Sequence, residues 1–265
     1  MGRQPPIYNA DERDGLRAAS KFNAQLMDHV RPHVKAGAKT SELDAIVSEY
    51  TLEHGHTPAC LNYNGYPACS CISINEVVCH GIPDDTELKD GDIVNVDLTT
   101  IVNGFFGDQS ETFMIGDVSD EARRLVQVTF DALWVGIRAI EPFGKVRDIG
   151  AAIYKYGREH DFEIVREYQG HGIGRSFHQE PGIPHFWFKG SKAGMQVIRP
   201  GMCFTIEPML NEGTWKTKLD KFDNWTVRTL DGKRSAQFEH TILMGDEGPE
   251  ILTLTQDGPQ EGHTF

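Results

Sequence analysis

Two aspartates on a predicted β-hairpin carry the strongest chemical signal in the sequence. Two strand-like runs are joined by Asn103-Gly104, a pair typical of a two-residue type I′ turn. In that register Asp97 faces Ser110 and Asp108 faces Thr99, so the two aspartates share one sheet face as diagonal neighbours, within about 7–8 Å. Neighbouring carboxylates repel unless a cation lies between them. A metal site explains the pair, although two unrelated aspartates on a solvated face is the commoner arrangement for an arbitrary hairpin.

Three candidate ligands further along the chain favour the metal. His171 lies within Gly170-His-Gly-Ile-Gly174, where the glycines leave its imidazole uncrowded, and Glu207 and Glu239 occupy the polar sides of short alternating runs. The glycine segment lacks the spacing of a nucleotide-binding loop. Two Asp, two Glu and one His suit Mn²⁺, Fe²⁺, Co²⁺ or Zn²⁺, and carboxylates that bridge indicate a pair of ions. Four carboxylates also balance the charge of two divalent ions.

Four helices and two β-rich stretches are predicted to position these residues. Helical periodicity runs from Asn9 to about Pro32, from Thr40 to near Gly55, from Ser119 to about Ile140, and from about Val146 to His160. In the second helix Asp44 follows Ser41 by three residues, which suggests a partial capping box. The β-rich stretches cover about 71–115 and the chain after 160.

The helix-helix-sheet order occurs twice, which predicts an internal duplication. Two helices share residues at an offset of 106 positions: Leu43, Tyr50, Glu53 and His54 match Ile149, Tyr156, Glu159 and His160. No low-complexity linker divides the halves. We therefore expect one catalytic domain over 1–265, made of two pseudo-symmetric halves at about 10–116 and 117–255.

Composition excludes several classes of protein. The 265 residues are 39% hydrophobic and carry a formal net charge of −13, which disfavours nucleic acid and anionic membranes as partners. The N-terminal segment lacks the apolar stretch of a signal peptide, and Pro6 argues against the myristoylation that Met1-Gly2 suggests, so we expect a cytoplasmic protein. Five cysteines without CxxC spacing predict free thiols rather than a disulfide framework or a zinc module.

With these residues in place, the chain resembles the type I methionine aminopeptidases, which have the pita-bread fold. The resemblance rests on six motifs in the order and spacing of that family: CISINEVVCHGIP (71–83), DIVNVD (92–97), GD (107–108), GHGIG (170–174), FTIEP (204–208) and EHT (239–241). It implies an α+β fold in which helices lie outside a curved antiparallel sheet. Only 28 residues separate His178 from Glu207, which leaves no room for the helical insertion of the type II enzymes.

The resemblance also implies roles for individual residues. Asp97 would chelate one metal ion, Asp108 and Glu239 would bridge two, and His171 with Glu207 would bind the other. His80 and His178 would be histidines near the scissile bond that do not bind metal. The methionine side chain would be surrounded by Cys60, Tyr63, Tyr66, Cys71, Phe177 and Trp225. Backbone carbonyls of Asn75, Val77 and Ser235 would hold a monovalent cation, Na⁺ or K⁺. The sequence departs from the family at Asn64, where many members have His.

The implied reaction is removal of the N-terminal methionine from nascent polypeptides when the second residue is small. A hydroxide between two ions (Co, Mn, Fe, Zn or Ni) would attack the first peptide carbonyl, with His178 stabilising the oxyanion, Glu207 handling protons and His80 near the scissile nitrogen. The substrate amine would bind the ion held by Asp97. We expect a monomer that acts on nascent chains, with the ribosome as a further partner.

Two other readings remain open at this point. Proline-specific aminopeptidases and prolidases are similar in fold and metal ligands, but they usually carry an additional N-terminal domain. Pita-bread proteins that have lost their metals act as binding modules, and those are expected to lack ligands that this sequence retains. Activity on Met-Ala against X-Pro peptides separates the first alternative, and a metal assay separates the second.

Overall fold

The computed structural model describes residues 4–265, so Met1-Gly2 lies outside the described part. Its α-helices are α1 (Ala10–Val30), α2 (Thr40–Glu53), α3 (Asp120–Arg138) and α4 (Val146–Glu159). Its strands in chain order are β1 (Thr57–Pro58), β2 (Cys71–Ile74), β3 (Val77–Cys79), β4 (Ile93–Val102), β5 (Phe105–Met114), β6 (Glu163–Ile164), β7 (Gly170–Gly172), β8 (Gln179–Ile183), β9 (Cys203–Ile206), β10 (Met209–Asn211), β11 (Thr217–Leu219), β12 (Val227–Thr229), β13 (Ser235–Gln237), β14 (His240–Met244) and β15 (Pro249–Ile251).

The β4–β5 hairpin has the predicted register. Asp97 pairs with Ser110 and Thr99 pairs with Asp108. Asn103 and Gly104 have φ angles of 51° and 79°, the two positive values that a type I′ turn requires. The opposite face of β4 is fully buried against α1 and α2. The hairpin therefore presents its acidic face to one side and its apolar face to the core.

Helix boundaries agree with the periodicity, but one predicted cap is wrong. Asn9 and Ser119 cap α1 and α3 with their side chains, and the backbone N–H of Lys39 donates to Glu42 at the start of α2. Asp44 takes no part in that cap. Its carboxylate accepts instead from the backbone N–H groups of Cys69 and Ser70, at 3.0 and 2.8 Å, because α2 presents it to that loop.

The second and fourth helices match in detail as well as in sequence. Each has 14 residues, and their first residues lie 106 positions apart. At their C-terminal ends, Nδ1 of His54 and of His160 each lie 2.8 Å from the carbonyl of the tyrosine four residues earlier. These features support the duplication, and the boundaries of the two halves remain our proposal.

The strands of residues 4–265 form four antiparallel sheets. The two that position the site are a five-stranded sheet in the order β15-β14-β9-β7-β8 and a four-stranded sheet in which β4 pairs with β1, β2 and β5. The smaller sheets are β13-β10-β6 and β11-β12-β3. The largest apolar cluster packs α3 and α4 against the five-stranded sheet, and a second packs α1 and α2 against β4.

Two further findings concern the chain as a whole. All five cysteines are free, as the odd count and the spacing predicted, and all five are buried. Within residues 4–265, no helix combines the length and the apolar character that crossing a membrane requires.

Candidate metal centre

The five predicted ligands come from two neighbouring sheets. Asp97 and Asp108 lie on β4 and β5, and His171 is the central residue of β7. Glu207 follows β9 and Glu239 precedes β14. A bridge between Ser110 and Glu239, with the Glu239 N–H donating to the Ser110 carbonyl at 2.9 Å, joins the hairpin to the five-stranded sheet. That junction brings together residues that are far apart in the sequence.

The ligand atoms converge on one point. One ligand atom each from Asp108, His171 and Glu239 lie within 4.8 Å of one another. Nε2 of His171 is 3.6 Å from Asp108 Oδ2 and 3.6 Å from Glu207 Oε1. Asp97 faces the same cavity. Carboxylate oxygens around one imidazole nitrogen form a donor set that first-row divalent ions favour.

The charges at this point are not compensated by the protein itself. Burial, and then repulsion from Asp108, raises the pKa values of Asp97, Glu207 and Glu239 well above the ordinary range, and burial raises the pKa of Asp108 to about 7. Glu239 Oε1 is buried without a hydrogen-bond partner among residues 4–265. A buried carboxylate oxygen of this kind normally has a partner. The site therefore has the electrostatics that a pair of cations would relieve.

Hydrogen bonds orient the ligands. Nδ1 of His171 lies 3.2 Å from the Gly172 carbonyl, which makes Nδ1 the protonated nitrogen and leaves the Nε2 lone pair towards the carboxylates. Burial, with the neighbouring His178 second, lowers the pKa of His171 to about 3, so its imidazole stays neutral. Thr99 donates to Asp108 Oδ1 at 2.8 Å.

Three residues that sequence analysis missed support Glu207. Thr205 Oγ1 donates to Glu207 Oε1 at 2.9 Å and Gln237 Nε2 donates to Oε2 at 3.1 Å. The Glu207 backbone N–H donates to Nε2 of the buried His185 at 3.1 Å. Thr205 could have been found from its position two residues before Glu207 on the same strand face. No local signal marks Gln237 or His185, because each reaches Glu207 from another element.

A cavity of about 650 Å³ opens beside these ligands. Its lining includes all eight residues predicted to contact substrate: Cys60, Tyr63, Tyr66, Cys71, His80, Phe177, His178 and Trp225. Cys60, Tyr66 and Cys71 form one buried apolar cluster, against which Phe177 and Trp225 pack. Sequence analysis did not identify Cys79, Glu167, Tyr168, Gln169 or Met209, which line the same cavity. Sulfur and aromatic groups suit an unbranched thioether side chain.

The two histidines predicted not to bind metal also face this cavity. His80 follows β3 with a φ angle of 56°, a left-handed conformation that is costly for a histidine and that clusters at functional positions. Its ring packs edge-on against Tyr168 and Trp225. The ring of His178 lies 4.1 Å from that of His171, and its Nδ1 is 2.8 Å from the Tyr63 hydroxyl. The Nδ1 of His178 is therefore engaged by Tyr63.

The residues predicted to hold a monovalent cation are not among those that line the cavity. The backbone N–H of Ser235 donates to the carbonyl of Asn75 at 2.9 Å, so these two residues meet. Asn75 has a φ angle of 52°, and Val77 begins β3 two residues later.

Comparison with known proteins identifies the class. The chain matches metallopeptidase family M24 over residues 14–246 and therefore belongs to that family. It is 47% identical over 253 residues to the methionine aminopeptidase of Salmonella typhimurium, which covers 95% of this chain and 94% of that enzyme. The crystal structure of methionine aminopeptidase from Rickettsia prowazekii has a TM-score of 0.91 and 45% identity, covering 95% of this chain and 100% of that one. The expected family resemblance and the pita-bread fold are thereby confirmed.

The likeness of this chain to the prolidases shows a similar fold. The prolidase from Pyrococcus furiosus has a TM-score of 0.75 at 19% identity, and the matched region covers 94% of this chain but 66% of that one. The longer chain agrees with the additional domain expected of that group.

Proposed function

We propose that this chain is a dimetal methionine aminopeptidase that removes the N-terminal methionine from nascent polypeptides. The observation that carries the proposal is the convergence of ligand atoms from Asp108, His171 and Glu239, within 4.8 Å of one another, beside a cavity lined by sulfur and aromatic groups. The reaction requires a metal-activated nucleophile, which the cluster of ligand atoms would provide, and a pocket for a thioether, which the cavity would provide.

The donor set fits two divalent ions. Asp97 would hold one, Asp108 and Glu239 would bridge, and His171 with Glu207 would hold the other. Mn²⁺, Fe²⁺, Co²⁺, Zn²⁺ and Ni²⁺ all accept carboxylate and imidazole ligands, so availability decides among them. Bound ions supply Lewis-acid polarisation of a carbonyl and a water of lowered pKa.

Side chains around the cavity carry out the proton transfers, stabilise the transition state and position the substrate. His178 donates a hydrogen bond to the oxygen of the first peptide carbonyl, which gains negative charge in the transition state. Glu207 accepts and returns a proton, and His80 approaches the nitrogen of the leaving peptide. Tyr66 has one hydroxyl hydrogen, which it shares between the carbonyl oxygens of Ser70 and Gly81 at 3.0 and 2.9 Å, and these contacts fix its ring in the methionine pocket.

The wider setting is also proposed. We propose a cytoplasmic monomer that meets its substrates as they leave the ribosome. We further propose that the carbonyls of Asn75, Val77 and Ser235 bind Na⁺ or K⁺. Neither nucleic acid nor a membrane is needed for the reaction.

A peptide assay tests the function. Protein purified without added metal is expected to cleave Met-Ala-Ser after addition of Mn²⁺, Co²⁺ or Fe²⁺, to lose activity with chelator, and to leave X-Pro peptides intact. Metal analysis of the same sample measures the stoichiometry. Full activity after exhaustive chelation, or faster cleavage of X-Pro than of Met-Ala, contradicts the proposal.

The specificity prediction separates the two subsites. Methionine is expected to be preferred to leucine at the first position, because one misplaced methylene costs about 1–3 kcal/mol in such a pocket. Small second residues (Gly, Ala, Ser) are expected to be preferred. Rates on Met-Gly, Met-Ala, Met-Val, Met-Leu and Leu-Gly peptides measure both. Equal rates on Met-Gly and Leu-Gly would refute the pocket, whereas rapid cleavage of Met-Leu would refute only the rule for the second residue.

A further inference from the structure

We propose that His185 is a positioning residue, which holds the main chain of Glu207 by a hydrogen bond and so determines where the Glu207 carboxylate lies in the metal centre. The backbone N–H of Glu207 donates to His185 Nε2 at 3.1 Å. The inference rests on the proposed function in one respect, namely that Glu207 binds a divalent ion. His185 itself is not among the residues that line the cavity.

Glu207 lies where its strand ends. The last pair of the β9–β14 ladder is Ile206 with His240, so Glu207 is one residue beyond the ladder. Pro208, which follows, has no N–H group. A buried backbone N–H needs a hydrogen-bond partner, and for Glu207 that partner is an imidazole instead of a strand. His185 therefore replaces the missing strand at this residue.

The segment that carries His185 is itself firmly packed. His185 follows β8 by two residues, and only 1% of its surface is exposed. A Cβ atom at Gly150 on α4 would lie 2.4 Å from the carbonyl oxygen of Pro184 and 2.9 Å from that of Phe186. Helix α4 thus packs directly against the backbone on either side of His185. The imidazole is held by this packing and in turn holds Glu207.

The other contacts of Glu207 do not replace this one. Thr205 donates to the carboxylate from the same strand, and Gln237 donates to it from β13. Both act on the carboxylate, whereas His185 acts on the main chain. Oε1 of Glu207 is 3.6 Å from Nε2 of His171. A shift of the main chain would change that spacing between two proposed ligands of one ion.

Packing alone does not explain an imidazole at this position. Because Nε2 accepts a hydrogen bond, the hydrogen of the neutral ring is on Nδ1. Nδ1 of His185 is buried and has no hydrogen-bond partner among residues 4–265. A buried donor without a partner is destabilising, so an apolar side chain of similar size would suit the interior better. What an apolar side chain cannot supply is the acceptor at Nε2.

Two substitutions of equal chain length isolate that acceptor. The amide oxygen of glutamine is as many bonds from Cα as Nε2 of histidine, and methionine has a methyl group there. His185→Gln therefore keeps an acceptor for the Glu207 N–H, and His185→Met removes it. If His185 served packing alone, methionine would be tolerated better, because glutamine would bury an unpaired amide group. A positioning role predicts the opposite order for the properties of Glu207.

The first measurement needs neither metal nor turnover. NMR of the metal-free protein gives the rate of hydrogen exchange at the Glu207 amide. His185→Met is expected to exchange about five- to tenfold faster than the wild type, the effect of losing one ordinary hydrogen bond, and His185→Gln to remain close to the wild type. Phe204, within the β9 ladder, is the internal reference and is expected to be unchanged. Equal exchange at Glu207 in the two variants overturns the inference.

Metal binding and kinetics provide the second measurement. Affinity for Mn²⁺ is expected to be about 10–100-fold weaker in His185→Met and close to the wild-type value in His185→Gln. With saturating Mn²⁺ and Met-Ala-Ser, His185→Met is expected to lower kcat by about tenfold and to leave KM unchanged, because His185 does not line the cavity. Wild-type affinity in His185→Met, or an equal loss in both variants, contradicts the positioning role.

A control at a distant site separates positioning from general stability. Thr129→Val removes a buried hydrogen bond inside α3, the one from Thr129 Oγ1 to the Leu125 carbonyl at 2.7 Å. It is expected to lower the free energy of unfolding without changing Mn²⁺ affinity or exchange at Glu207. A loss of affinity as large as in His185→Met would show that affinity only follows stability, which overturns the inference.

One outcome concerns the proposed function alone. Wild-type protein that binds no divalent ion refutes the proposed function, because Glu207 is then not a metal ligand. Exchange at the Glu207 amide in the metal-free protein still decides whether His185 holds the main chain. The two failures are therefore distinguishable in one set of samples.

Discussion

The histidines around the cavity are distinguished by what each ring nitrogen contacts. His171 has its Nδ1 on a backbone carbonyl and its Nε2 3.6 Å from two carboxylates, which is the arrangement of a metal ligand. Nδ1 of His178 contacts the hydroxyl of Tyr63. The ring of His80 packs against the rings of Tyr168 and Trp225. His185 is buried, and its Nε2 accepts a hydrogen bond from the backbone N–H of Glu207, which helps to hold Glu207 in place. The same residue type thus has different surroundings at each position around the site.

At this scale the first prediction separates ligands from non-ligands. His178→Ala is expected to retain both metal ions and to lower kcat by about 10²–10³-fold, because one oxyanion donor is lost. Asp108→Ala is expected to lose metal and activity together, because it removes the carboxylate beside His171. Metal content by elemental analysis, measured beside turnover, checks both. Loss of metal from His178→Ala would show that the assignment of His178 is wrong.

Strand β7 positions the imidazole ligand because its glycines permit close approach. A Cβ atom at Gly170 would lie 2.4 Å from the Thr205 carbonyl oxygen, and one at Gly172 would lie 2.2 Å from that of Glu180. Both distances are far below any normal contact. The absence of side chains on either side of His171 therefore lets β7 fit between β8 and β9, which places the imidazole beside Glu207.

The second prediction tests this fit. Gly172→Ala is expected to destabilise the protein by about 1–3 kcal/mol through overpacking, and to weaken metal binding because β7 must shift. Gly104→Ala is the matched control. It forces an alanine into the left-handed turn of the β4–β5 hairpin at about 1–2 kcal/mol, but the nearest atom to its Cβ would be Arg175 Nη1 at 3.9 Å, an ordinary contact, so metal affinity is expected to be retained. Chemical unfolding and metal titration measure the two effects. Equal metal affinities in both variants would contradict the role of β7.

On the scale of the whole molecule, the site gathers four of the 39 aspartates and glutamates of the chain in one buried cluster. Asp97, Asp108, Glu207 and Glu239 all have raised pKa values, so the folded metal-free protein holds protons that the unfolded chain has released. Each pH unit over which one carboxyl group is protonated only when folded costs about 1.4 kcal/mol of stability. Metal binding replaces these protons.

The third prediction follows from the sign of this linkage. Burial lowers the pKa values of His171 and His185 to about 3, so these histidines make the folded protein more stable as the pH rises. This increase ends near about pH 6.5, because the imidazoles of the unfolded chain are then neutral as well. Above pH 7 the buried carboxyl groups still hold protons that the unfolded chain has released, so the melting temperature of the metal-free protein is expected to fall from pH 7 to pH 9. Burial also raises the pKa values of the Cys79 and Cys203 thiols, which adds to the fall as pH 9 is approached. Saturating Mn²⁺ is expected to remove the part of the fall that the carboxyl groups cause.

Asp108→Asn supplies the control for the pH prediction. It removes one of the four charges, so the metal-free variant is expected to be more stable than the wild type at pH 8 and to gain less from Mn²⁺. Thermal unfolding with chelator and with Mn²⁺ at each pH measures both quantities. A metal-free melting temperature that is constant from pH 7 to pH 9 would argue against the buried acidic cluster.

Much of the architecture follows from the sequence by itself, because it is encoded locally. Turn chemistry at Asn103-Gly104 fixes the register of the hairpin, and with it the shared face of Asp97 and Asp108. Helical periodicity and capping residues give the four helices within a few residues of their observed ends. The motifs at 170–174, 204–208 and 239–241 imply the remaining candidate ligands through the family resemblance, and the family itself is confirmed.

Only the tertiary structure decided which distant groups act on one another. Asp44 has the spacing of a capping residue, yet its carboxylate binds the backbone N–H groups of Cys69 and Ser70. Gln237 reaches Glu207 from another strand, and Tyr63 meets His178 across 115 residues. Such contacts depend on how sheets pack, and a side chain's spacing to its neighbours in sequence contains no information about the element it will face. Local interactions therefore determined the strands and helices, whereas long-range packing determined the partners of the site residues.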